Sequence, residues 1–134
     1  MSVILDPRAA LLVEDDPDFS TILRRFLAPW KLEVETATSL TSALEASSRR
    51  SFDLYLIDLN LADGNSGELL ADLAARGQAT ASRCLVITAF PLVATAYTAV
   101  PIVSKLQLSA LGAHLFRILG APRTTEQSKA DKTI

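Results

Sequence analysis

Four short apolar runs in this chain each stop at polar residues able to do chemistry. Ala9–Val13 stops at Glu14-Asp15-Asp16, the run 52–59 carries Asp58 near its end, Cys84–Thr88 closes on a hydroxyl, and 100–103 leads into Ser104-Lys105. If these runs lie side by side and point the same way, a group of carboxylates, one hydroxyl and one ammonium meet at a single edge. Carboxylates packed that closely repel, and stay ionised together only around a cation. Oxygen ligands with open positions suit Mg2+, which keeps several waters and takes one or two carboxylates plus phosphate oxygens. A carboxylate attacking phosphorus in turn needs metal and ammonium charge against the negative charge that develops.

The elements that must position these groups are legible from periodicity. Asp16-Pro17 is a helix N-cap followed by proline at the first helical position. Phe19, Ile22, Leu23, Phe26 and Leu27 then follow at the spacing of one inward helical face, and Ala28-Pro29 ends it. Residues 32–37 alternate like a strand, and Ser39 caps a second helix with Leu40, Ala43 and Leu44 inward. The run 52–59 (FDLYLIDL) is the strongest strand candidate. A DGNSG loop follows, then a third helix with Ser66 as its cap, Leu69, Leu70 and Leu73 on its inner face, and Gly77 closing it. Cys84–Thr88 is apolar throughout, as a strand covered on both faces should be. A last helix carries Leu108, Leu111, Leu115, Ile118 and Leu119 and stops at Gly120. Strands alternating with helices imply βαβ units, a parallel sheet and helices on both faces. The expected fold is α/β and doubly wound, with its chemistry beyond the C-terminal ends of the strands.

Composition excludes several classes. The 134 residues suit one domain, and 49% hydrophobic content supplies a core. Thirteen basic against fifteen acidic residues give a net charge of −2, without the basic excess of a stand-alone nucleic-acid binder. Cys84 is the single cysteine, so there is no internal disulfide and no cysteine zinc site; it reads as buried core. No apolar run is long enough to span a membrane, and the N-terminus lacks the basic region of a secretory signal. A cytoplasmic protein is expected, with a folded unit over 1–120 and a flexible polar tail over 121–134.

The ordered set LLVEDDPDF, DLYLIDLNLADGNSG, LVITA and VPIVSK resembles the receiver domain of bacterial two-component response regulators. Asp15 precedes Asp58 by 43 positions and Asp58 precedes Thr88 by 30, close to that family's spacing. The resemblance implies a five-stranded flavodoxin-like sheet of order 2-1-3-4-5. It implies that Asp58 accepts a phosphoryl group from a histidine kinase or a histidine phosphotransfer protein. Glu14 and Asp15, with Asp58 and the backbone carbonyl of Asn60, would hold Mg2+; Asp15 with Asp16 is the neighbouring choice for the acid pair. Thr88 would hydrogen-bond a phosphoryl oxygen and Lys105 would neutralise its charge. With no output domain after residue 120, signalling by protein contact in trans is expected.

Four departures from the family pattern bear on readout. Ala62 stands in place of a proline, in a loop one residue longer than usual. Leu106 follows Lys105 where the family has a cis-proline, so a trans bond and a somewhat displaced Lys105 are expected. Ile102 occupies the aromatic switch position. Only 16 residues separate Thr88 from Lys105, and the roughly 12 left for two loops and a helix barely match one average helix of about 11–12, so the fourth helix should be shortened or absent. Tyr97 lies in that segment, as a partner anchor or a cover for the sheet. Phe90 reads as a shield for an acyl phosphate or as core, and His114 as a rim residue.

The competing class is a pseudo-receiver, an interaction module independent of phosphate. A phosphohydrolase of related chemistry would carry an acid where this chain has Asn60. A nucleotide binder would want a glycine-rich loop after the first strand, and EDDPDF has none.

Overall fold

The computed structural model describes residues 8–90 and 100–122. The segment around Tyr97, and with it the expected shortening of the fourth helix, lies outside the described residues, as does the tail from 123 onward. Strands β1 (Ala9–Val13), β2 (Glu33–Ala37), β3 (Leu54–Asp58), β6 (Cys84–Thr88) and β7 (Ile102–Ser104) form one sheet in the order β2-β1-β3-β6-β7. Every pairing in it is parallel. The flavodoxin-like order is as expected, with two two-residue strands, β4 (Asn60–Leu61) and β5 (Gly64–Asn65), forming a separate antiparallel hairpin after β3. Helices α1 (Pro17–Leu27), α2 (Leu40–Arg49), α3 (Gly67–Ala75) and α4 (Leu111–Leu119) are the crossovers and the C-terminal element.

β1, β3 and β6 are buried at every position, because helices cover both faces. The period of two splits their side chains. Leu11, Val13, Tyr55, Ile57 and Val86 pack with Leu40 and Ala43 of α2 and Leu69 and Leu73 of α3. Leu12, Leu54, Leu56, Leu85 and Ile87 face Leu23 and Leu27 of α1 and Leu111, Leu115 and Leu119 of α4. Ile22, expected inward, is 40% exposed, at the margin of the α1 stripe.

Boundaries shift where the backbone has other partners. The third strand begins at Leu54 rather than at 52, since the Phe52 N–H donates to the Tyr55 hydroxyl at 3.0 Å and so leaves the ladder. The last strand begins at Ile102, because Pro101 has no N–H to contribute and only its carbonyl accepts, from Val86 at 2.9 Å. Among the described residues no helix is long and apolar enough to cross a membrane.

Candidate functional site

The parallel ladders set the site's geometry. Asp58 pairs with Ile87, so Thr88 lies one residue further along the neighbouring strand; Thr88 pairs with Ser104, which places Lys105 next. The Lys105 N–H closes the ladder on the Thr88 carbonyl at 2.8 Å. Glu14 leaves β1 with its N–H on the Ala37 carbonyl at 3.0 Å.

At this edge one carboxylate oxygen from each of Glu14, Asp15 and Asp58 lies within 4.8 Å of the others. The Lys105 ammonium donates to Glu14 Oε1 at 2.8 Å and to Asp58 Oδ2 at 3.0 Å, and sits 4.6 Å from the centre of the Phe19 ring. Glu14 and Asp58 are buried. Burial pushes the Glu14 carboxyl up to about 7, with the Lys105 hydrogen bond opposing and Asp58 adding to the rise. Burial alone would lower the Lys105 ammonium; its hydrogen bonds to Glu14 and Asp58 outweigh that and hold it above the ordinary lysine value. One cation thus serves two buried carboxylates, an under-neutralised arrangement.

The remaining oxygens are held by main chain. Asp58 Oδ1 accepts the Asn60 N–H at 3.1 Å, and Asp15 Oδ2 accepts the Ala62 N–H at 2.9 Å. Glu14 Oε2 is buried with no hydrogen-bond partner among the described residues. An orphaned carboxylate oxygen beside two further acids is the donor set of a hard divalent cation, and the residues present fit Mg2+. Asp16 points elsewhere: it is exposed and caps α1, accepting from the Asp18 N–H at 2.9 Å. The Thr88 hydroxyl accepts the Phe90 N–H at 3.1 Å, which leaves its own proton to donate.

The profile of the response regulator receiver domain matches residues 10–103. The chain belongs to that family. The photosynthetic apparatus regulatory protein RegA of Rhodobacter capsulatus is 33% identical over 93 residues, 69% of this chain and 50% of that protein. The chain spans half or less of the length of the curated relatives it matches. Among solved structures, the non-phosphorylated receiver domain of HemR from Leptospira biflexa is 27% identical, with a TM-score of 0.70 over 87% of this chain and 98% of that one. The regulator TrrA of Thermotoga maritima, in complex with Mg2+ and BeF, shares the fold at 17% identity, with a TM-score of 0.69 over 84% of this chain and 99% of that one. The chain is a receiver domain, a signalling module, with an acidic cluster of Glu14, Asp15 and Asp58 at the pocket where receiver domains bind Mg2+.

The other residues singled out in the sequence take the following places in this receiver. The bond from Lys105 to Leu106 is trans, as expected, and the ammonium meets Asp58 at 3.0 Å. Leu106 itself is 85% exposed. Phe90 is 62% exposed and so is not core. His114 is half-buried beside Arg117, partial burial and then that guanidinium lowering its pKa.

Ser66 stands at the N-cap of α3 but does not cap it; its hydroxyl donates to the Asp58 carbonyl at 2.6 Å and so fixes the main chain of that residue. Asp63, read from sequence only as loop, accepts from the Leu40 N–H at 2.8 Å and the Thr41 N–H at 3.3 Å, and those bonds hold its carboxyl below the ordinary range. No local sequence signal pairs Asp63 with a helix 22 residues away.

Proposed function

We propose that this receiver takes a phosphoryl group onto Asp58 from a sensor histidine kinase or a histidine phosphotransfer protein, and passes its state on by protein contact. The observation that carries this reading is the approach of Glu14, Asp15 and Asp58 to within 4.8 Å of one another, with the Lys105 ammonium 3.0 Å from Asp58. An Asp58 oxygen attacks phosphorus, the bond from phosphorus to the donor nitrogen breaks, and that nitrogen leaves with the bonding pair. Glu14, Asp15, Asp58 and the Asn60 carbonyl would hold Mg2+, which supplies positive charge against the phosphoryl oxygens.

The other contributions come from the chain's own groups. Ser66 and the Asn60 N–H hold Asp58 in place. Lys105 gives up its contact with the modified carboxylate for a phosphoryl oxygen, and Thr88 donates its proton to another. The phosphoryl group adds about −1.5 to −2 charge and three acceptors. The segments carrying Thr88 and Lys105 would move toward it and carry exposed Phe90 and Leu106 with them. In this reading residues 1–120 form the working unit, 121–134 a polar tail, the protein is cytoplasmic, and it makes no direct contact with nucleic acid or membrane.

The test is intact mass after incubation with acetyl phosphate, with and without Mg2+, for the wild type and Asp58→Asn. A gain of one phosphoryl group that needs both Mg2+ and Asp58 is expected. No gain, together with no Mg2+ binding by titration, overturns the reading. It would favour the second reading, a phosphate-independent interaction module in which Lys105 serves to neutralise Glu14 and Asp58.

A further inference from the structure

The four free N–H groups that open a helix need partners, and α2 obtains them from two places. The Ser42 N–H goes to the Ser39 hydroxyl at 3.0 Å and the Ser39 N–H to the Ser42 hydroxyl at 3.1 Å. The Leu40 and Thr41 N–H groups go instead to Asp63, at the tip of the β4–β5 hairpin. The hairpin therefore docks on the helix through one side chain, with Gly64 close against Leu40, where a Cβ would lie 3.3 Å from its methyl.

The residue before Asp63 is Ala62, whose N–H holds Asp15 Oδ2. Asn60, whose N–H holds Asp58 Oδ1, opens the same hairpin. We propose that Asp63 is a positioning residue of the site: by clamping the hairpin tip to α2 it fixes the Ala62 N–H, and through it the orientation of the Asp15 carboxylate toward the cation. The inference deepens the proposed function, since Asp15 matters in this way only if it holds a metal.

Two variants separate a clamp from a cap. Asp63→Ala frees both the hairpin and two N–H groups of α2; Ser39→Ala uncaps α2 but leaves the hairpin docked. Amide hydrogen exchange at Ala62 is expected to be slow in the wild type and in Ser39→Ala, and fast in Asp63→Ala. Mg2+ affinity by titration is expected to fall by about 10-fold in Asp63→Ala, the lower end for groups that orient a metal ligand. It should stay at the wild-type value in Ser39→Ala and be largely restored in Asp63→Asn, which keeps an acceptor oxygen. Unchanged Ala62 exchange in Asp63→Ala, or an equal loss of Mg2+ affinity in Ser39→Ala, overturns the clamp. A wild type that binds no Mg2+ while Ala62 exchange still responds to Asp63→Ala overturns the metal reading instead and leaves the hairpin contact standing.

Discussion

At the edge where the strands begin, charged and polar side chains tie main chain to main chain; at the edge where they end, main-chain bonds remain but charged side chains also face one another. Asp53 accepts the Ala9 N–H at 2.8 Å while its own N–H returns to the Ala9 carbonyl at 2.8 Å. Arg83 donates to the Phe52 carbonyl at 3.0 Å. Arg8 and Trp30 donate to the carbonyls of Leu119 and Gly120, at 2.6 and 2.8 Å, and so finish α4. Beyond the other ends, Glu14 and Asp58 share one ammonium and a carboxylate oxygen has no partner among the described residues. The beginning edge has a buried oxygen without a partner among the described residues, Gln78 Oε1, but that oxygen belongs to a neutral amide. Local satisfaction marks groups that hold the fold; mutual repulsion marks groups kept for something the fold does not need.

The largest expected effect is at Lys105. In EDTA near neutral pH, Lys105→Met leaves Glu14 and Asp58 buried without their counter-charge, and should lower stability by about 3 kcal/mol in urea unfolding. Stability equal to wild type would show that the carboxylates are relieved by another route, and would blur the contrast between the edges. Mg2+ comes next: if it binds the folded cluster, stability should rise by about 2.7 kcal/mol at one hundred times its Kd. Asp58→Asn should abolish most of that rise in thermal melts, and Asp53→Ala should leave it intact. A rise that survives Asp58→Asn would place the cation elsewhere.

How far these edges were legible in the sequence follows from how local each signal is. Unbroken runs such as AALLV and CLVIT give buried strands directly, and the acids after AALLV lead to Glu14 and Asp15. The N-caps at Asp16 and Ser39 are equally local, because the partners lie two or three residues away. The contacts of Ser66 and Asp63 escape the sequence for the opposite reason. Their partners, the Asp58 carbonyl and the α2 N-terminus, come near only once the hairpin forms. Pattern rules place Ser before a helix as a cap; they do not see a competing carbonyl eight residues back. The start of β3 was misplaced similarly, since the Tyr55 hydroxyl removes Phe52 from the ladder in a way no strand propensity records.

Smaller effects test the quiet edge. Asp53→Ala removes the carboxylate from the Ala9 N–H, and a hydrogen bond to a charged group is worth about 1.5–3 kcal/mol. Asp53 is exposed, so water takes part of its place and the loss should sit at or below the lower end. The phosphoryl mass gain should be unchanged, because the substitution lies at the opposite ends of the strands. A variant that kept its stability but lost the mass gain would join the two edges energetically and end the distinction.

Cys84 gives the mildest test. It opens β6 at the quiet edge, buried, its thiol donating to the Gln78 carbonyl at 3.3 Å. Burial pushes the thiol up to about 11, only partly opposed by the Thr80 hydrogen bond and by Arg83. Because the folded value lies above the ordinary one of 9.0, the protonated form is favoured by folding, and that contribution is lost only as the pH climbs from about 9 through 11. At neutral pH the thiolate is therefore almost absent in the native protein, and the thiolate is the reactive species. Iodoacetamide should leave Cys84 unmodified by mass in the native state and alkylate it once urea unfolds the chain. Rapid alkylation of the folded protein would mean that the start of β6 opens readily, which a merely structural edge has no reason to do.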